Sequence, residues 1–289
     1  MIALQRIATL DVAAASGLCL IGGELVVIAD DELALHFYAI DGAPRGRVAL
    51  FPGSLPDEPR ARKRAKPDLE ALEALPDGRL LAIGSGSAPG RDRAALIGPL
   101  VAGPEARAGG CAVREVDLSA LYGALRRVID PLNVEGACAV GDELVLLTRQ
   151  TGRAGANALV RLDLAASVDA MSRGALDPAA LRGVQRIELG AIDGAALGFT
   201  DAAAWRGGML FSAAAEVTDD PVEDGACVGC EVGWMDTAGA VGWRERVDPC
   251  VKLEGIAVDG RGTLHAVADC DDRACPAPLF TARLPDLRS

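Results

Sequence analysis

The chain has 289 residues, of which half are hydrophobic, 24% charged and 3% aromatic, and its formal net charge is −12. This is the make-up of a globular protein whose core is filled by short aliphatic side chains rather than rings. The acidity excludes a general binder of nucleic acid or of anionic membranes, and no apolar run approaches the roughly 18 residues of a membrane-spanning helix.

The N-terminal stretch ALQRIATLDV reads as a strand with no partner nearby. Gln5, Arg6 and Asp11 break its apolar run too often for a signal peptide. The expectation is therefore a cytoplasmic protein, or a secreted or periplasmic one had a leader been removed. Next comes SGLCLIGGELVVIADD, two apolar runs joined by Gly-Gly, which is a hairpin signal. The same plan returns as EALEALPDGRLLAIGSGS, EGACAVGDELVLLTRQ, TDAAAWRGGMLFSAAAE and EGIAVDGRGTLHAVADC. Each copy opens on an oxygen-bearing side chain, at positions 16, 70, 135, 200 and 254, spaced by 54 or 65 residues.

Periods of this size point to propeller blades. In the second unit the four short runs are EALEAL, RLLAIGS, AALIGPLV and CAVREVDL. Four antiparallel strands make one blade, and a lone blade buries its faces only by stacking on neighbours. The last unit stops after PLFTARL, one strand short, and the N-terminal strand supplies the missing edge. The expected structure is all-β: one domain over residues 1–289, a five-bladed β-propeller of four-stranded antiparallel blades, closed by its N-terminal strand. Two segments between blades read differently. Asp117 to Leu132 has helical spacing after an Asp117/Ser119 cap, and SVDAMSRGALDPAALRGV reads as loop and short helix.

In a propeller, equivalent residues of the inner strands face one another around the channel. Ser16, Glu70, Glu135, Thr200 and Glu254 would do so. Three carboxylates converging there must hold a cation, share protons or cap strand backbone. Calcium suits such a set, because it takes six to eight oxygen ligands from carboxylates, hydroxyls, carbonyls and water. Asp201 is an alternative to Thr200. Zinc suits it poorly, since no His or Cys stands at the ring positions.

In SGLCLIGGELVVIADD, VEGACAVGDELVLLTRQ, GFT and VKLEGI the chain resembles the calcium-activated apyrases, five-bladed propeller nucleotidases. That resemblance implies a central calcium held by a Ser, Glu, Glu, Ser, Glu series. Here the matching series is Ser16, Glu70, Glu135, Thr200 and Glu254, with one hydroxyl residue exchanged for another. It also implies a phosphate-facing set at Arg149, Asn157 and Lys252. Where those enzymes carry an Arg after the paired aspartates of the first blade, this chain has Glu32 and Leu33. The repeat is also similar to uncharacterised bacterial propellers and, more distantly, to phytase-like and gluconolactonase-like ones.

The loops on the face of the oxygen ring carry uneven charge. Arg91, Arg93, Arg149, Arg153 and RARKRAK (Arg60 to Lys66) lie on blades two and three. Asp30, Asp31, Glu216, Asp219, Asp220, Asp269, Asp271 and Asp272 lie on the others. Arginines beside a divalent ion suit a phosphorylated or other anionic small molecule, with Asp30 or Asp31 as the group that accepts a proton. GSGSAPGR has the composition to wrap an anion but lacks the Walker lysine. Cys19, Cys111 and Cys138 read as buried thiols. Cys227, Cys230, Cys250, Cys270 and Cys275 crowd the last quarter, as two disulfides, as free thiols, or as a zinc site at Cys227, Cys230, Cys270 and Cys275. Trp205, Trp234 and Trp243 read as packing between blades. Two functions fit these features: a calcium-dependent hydrolase of an anionic small molecule, or a non-enzymatic propeller whose ion is structural and whose loop face binds a ligand or protein partner.

Overall fold

A computed structural model describes residues 1–100, 111–149, 157–217, 225–270 and 274–285. Five antiparallel sheets follow one another along the chain. Blade 1 is Ala15–Ile21, Glu24–Ala29, Ala34–Ala39 and Pro44–Ala49. Blade 2 is Leu69–Ala74, Leu80–Gly84, Arg93–Ile97 and Val113–Asp117. Blade 3 is Val134–Val140, Glu143–Thr148, Ala158–Asp163 and Leu181–Arg186, and blade 4 is Ala195–Trp205, Gly208–Val217, Ala226–Met235 and Val241–Asp248. Blade 5 takes Leu253–Val258, Thr263–Ala268 and Pro278–Arg283 from the C-terminal end. Its outer strand is the N-terminal Gln5–Thr9, antiparallel to Pro278–Arg283, as the missing edge of the last repeat required.

The inner strands touch in a closed circle, blade 5 returning to blade 1. The hydrophobic core is accordingly five layers, each shared by two neighbouring blades. Phe37, Leu69 and Leu80 belong to the layer of blades 1 and 2, for example, and Phe199, Phe211 and Leu147 to that of blades 3 and 4. Trp205 is buried in the layer of blades 4 and 5, with Trp234 and Trp243 packed against it. Gly22 and Gly23 both take positive φ, 57° and 81°, in the two-residue turn of the first hairpin. That conformation is why Gly-Gly stands there.

Two details go beyond the sequence reading. Ile2–Ala3 adds a parallel pairing to the outer strand of blade 4, so the N-terminus clasps both last blades. The helical stretch after blade 2 is short, Ser119–Leu125, with Asp117 Oδ1 accepting from the Ser119 N–H at 2.8 Å. Within SVDAMSRGALDPAALRGV, the start lies in a helix over Leu164–Ser172, capped by Asp163, and its end is the outer strand of blade 3. Cys19 and Cys138 are buried and Cys111 is half-buried.

Candidate functional site

All five inner strands share one irregularity. The pairing with the second strand skips a residue between Ala15 and Gly17, Leu69 and Ala71, Val134 and Gly136, Phe199 and Asp201, and Leu253 and Gly255. The skipped residues are Ser16, Glu70, Glu135, Thr200 and Glu254. Each head is the extra residue of a β-bulge, which frees it from the ladder and bends the strand. The residue after four of the five heads is Gly or Ala, because inner strands pass backbone to backbone there. A Cβ on Gly255 would stand 2.9 Å from Gly17 C and Leu18 N.

The heads do not behave alike. Ser16 Oγ donates to Leu69 O of the next blade at 2.5 Å. Thr200 Oγ1 donates to Ser212 Oγ at 2.8 Å within its own blade. The three glutamates feel one another: Glu70 and Glu135 repel, as do Glu135 and Glu254. Burial, first, and this repulsion push the Glu135 carboxyl up to about 8, against the pull of Arg149 and Lys252. Burial and neighbouring Asp68 likewise push Glu70 well above the ordinary carboxylate range, and burial raises Glu254.

Around the heads lie two ion clusters. On the side of blades 1 and 2, oxygens of Asp30, Asp68 and Glu70 lie within 4.8 Å of one another, the one such grouping of three metal-ligand side chains among the described residues. Lys66 pairs with Asp30 and lies 2.8 Å from Asp68. Arg91 is 2.6 Å from Asp68. Burial opposes the charge on Asp68, but Lys66 and Arg91 outweigh it and hold the carboxyl below its usual range. Asp30 is driven the other way, up to about 6, by burial and the charge of Asp68 in spite of Lys66. On the side of blades 3 to 5, Arg149 pairs with Glu216 and lies 3.7 Å from Glu135 and 4.0 Å from Glu254. Lys252 Nζ is 3.0 Å from Glu216 and 2.8 Å from Glu254.

Ser16, Glu70, Glu135, Thr200 and Glu254 thus occupy equivalent places, and Asp30, Arg91, Arg149 and Lys252 join them. Asp31 turns aside to Arg62, whose Nε donates to it at 3.0 Å. Arg93 also points away, lying 3.7 Å from Glu115 of the outer strand and over the Phe51 ring. Asn157 serves the backbone of blade 4: its Nδ2 donates to Leu197 O at 2.7 Å and its Oδ1 accepts from Phe199 N at 3.1 Å. Arg153, Asp219, Asp220, Asp271 and Asp272 lie outside the described residues. GSGSAPGR meets an internal anion, and does so through its side chains. Ser85, Ser87 and Arg91 all reach the Asp68 carboxylate. The five C-terminal cysteines are free thiols, and Cys250 Sγ donates to Cys227 O at 3.8 Å.

Sequence reasoning passed over Asp68 and Glu73, took Lys66 only as the end of a basic run, and took Asp201 only as an alternative to Thr200. Asp68 precedes Glu70 by the same two residues that separate Lys252 from Glu254 and Asn133 from Glu135, so that offset was a usable signal. It takes a left-handed backbone, φ 56°, which Asp tolerates better than most residues. Lys66 follows a helix over Pro59–Ala65 capped by Glu58, which turns the basic run RARKRAK into an arm over the site. In a second layer, Glu73 accepts from Ala139 N at 2.8 Å and Asp201 Oδ2 from Ile256 N at 2.7 Å, each bridging to the next blade. Asp201 is therefore strand-bridging, below Thr200, and its Oδ1 is buried without a hydrogen-bond partner.

The fold is similar to that of a glutaminyl cyclase from Myxococcus xanthus, with a TM-score of 0.55 and 15% identity over 98% of this chain and 96% of that one. It is also similar to a protein from Parabacteroides distasonis provisionally described as a glycoside hydrolase, with a TM-score of 0.51 and 11% identity over 96% and 89% of the two chains. At such identities the likeness is one of fold. No curated protein matches the sequence. No helix among the described residues is long and apolar enough to cross a membrane. A family model does match residues 11–284, nearly the whole chain, and the protein belongs to that family, DUF6929, described as a family of unknown function.

Proposed function

We propose that the protein is a calcium-binding propeller that hydrolyses a phosphorylated or other anionic small molecule at the mouth of its channel. The observation that carries this reading is the convergence of Asp30, Asp68 and Glu70 oxygens beside Glu135 and Glu254. Six carboxylates (with Glu216) face four cations, Lys66, Arg91, Arg149 and Lys252, an excess of two negative charges if all ionise. A divalent ion would balance that excess, and all the donors are hard oxygens of the kind calcium prefers. The buried Oε2 of Glu254 has no hydrogen-bond partner, which also suits a cation site. When bound, calcium would supply a fixed positive charge to an anionic substrate. Asp30, paired with Lys66 beside the site, is the candidate to accept a proton. The resemblance of the five heads to the calcium-activated apyrases, drawn from the sequence alone, supports the same reading.

One observation favours a second reading. Arg149 and Lys252 both hold Glu216 and approach Glu254, so these cations already serve the protein's own acids. In that reading the ion is structural and the loop face binds a ligand or partner without turnover. Calcium should raise the melting temperature in both cases, and Glu70→Gln should weaken calcium binding at least about tenfold, or roughly 1.4 kcal/mol. Release of product from a panel of nucleotides, phosphoesters and lactones in the presence of calcium separates the two. No turnover on any of them leaves the binding role, and no calcium response at all removes both.

A further inference from the structure

The calcium reading leaves the C-terminal cysteines unused. Cys227 lies in the third strand of blade 4, directly opposite Glu216 of the second. Cys250 lies in the connection from blade 4 to blade 5, two residues before Lys252. Chain segments 23 residues apart are thereby brought together, and Cys250 Sγ donates to Cys227 O at 3.8 Å. Cys227 Sγ in turn donates to Gly229 O at 3.5 Å. Cys250 is exposed and Cys227 half-buried, whereas Cys230, the other half of the C-x-x-C, is buried in the layer of blades 4 and 5.

We infer that Cys227 and Cys250 form a redox-sensitive dithiol that closes into a disulfide and staples blade 4 to the strand entering blade 5. The oxidant is a low-molecular-weight disulfide. Cys250, as its thiolate, attacks one sulfur of that disulfide, forming a mixed disulfide and expelling one small thiolate. Cys227 then loses its proton to solvent and attacks the Cys250 sulfur, expelling the second. Two protein thiols are oxidised, one small disulfide is reduced to two small thiols, and no other reactant is needed. Burial and the neighbouring Cys250 push the Cys227 thiol up to about 12, which fits it to the second step, where the mixed disulfide holds its target in place.

The consequence falls on the site. Glu216, opposite Cys227, holds Arg149 and Lys252. A bond from Cys227 to Cys250 would fix the strand beside Glu216 relative to the chain carrying Lys252. This inference stands whether or not calcium binds.

The experiment is to treat the full chain with oxidised glutathione, alkylate the remaining thiols, and map disulfides by peptide mass spectrometry alongside thermal melts. The expected product is a Cys227–Cys250 linked peptide that dithiothreitol releases, with a melting temperature raised by about 5 °C. Cys250→Ser should abolish both effects, and Cys230→Ser should preserve them. Glutathione persisting on Cys250, linkage of Cys227 to Cys230, or a linked protein with an unchanged melting temperature would each overturn the inference.

Discussion

Glu73 shows how a buried carboxyl held by a backbone N–H contributes to the pH response of the molecule. Burial pushes it up to about 8, although Ala139 N–H hydrogen-bonds it. Unfolded, it would titrate near its ordinary value of about 4.3. Between those values the folded state holds a proton that the unfolded state has released, so stability falls as pH rises from about 5 to 8. Gln at this position keeps an oxygen for Ala139 N–H and cannot ionise. Urea denaturation of Glu73→Gln should therefore show a flatter pH profile and a gain of roughly 1–3 kcal/mol at pH 8. A profile parallel to that of the unsubstituted protein would mean that Glu73 is already ionised in the fold. The position also explains part of the sequence pattern. Glu70 and Glu73 are three residues apart in a strand, yet both serve the channel, because the bulge at Glu70 adds one residue to the alternation.

At the scale of the strand, the small residue after four of the five bulges sets how closely blades can approach. A Cβ on Gly255 would meet Val267 Cγ2 at 2.7 Å and the blade 1 backbone at 2.9 Å. Gly183, on an outer strand, has nothing within 4 Å of the same added atom. Gly255→Ala should cost about 1–3 kcal/mol by forcing blades 1 and 5 apart, and Gly183→Ala should be near neutral, both read from denaturation midpoints. The elements themselves were legible in the sequence. Hairpins such as Ile21 to Glu24 announce themselves through Gly-Gly, and the five heads stand at one position because a bulge recurs at one position. The arm over Pro59–Ala65 was not legible, since RARKRAK has the composition of a solvated run. Only its packing beside Asp30 and Asp68 turns Lys66 inward.

For the whole molecule, closure was readable from counting. One strand was missing at the C-terminal end and one was spare at the N-terminal end, and Gln5–Thr9 joins them. The site was readable in part. Its inner ring follows from the repeat, whereas Asp68, Lys66 and Glu216 enter from strand ends and a helix whose placement depends on the assembled ring. This division accounts for Arg93 and Asp31 facing away: both lie in loops or at strand edges, where local competitors such as Glu115 and Arg62 claim them first. The ring brings acids from five blades around the axis, and a cation held by Asp30, Asp68 and Glu70 would tie blade 1 to blade 2 there. The most direct test is a crystal of the protein grown with calcium and measured by long-wavelength anomalous scattering. A single calcium peak bounded by Asp30, Asp68 and Glu70 is the expected result, and a channel mouth with no peak in saturating calcium would contradict it.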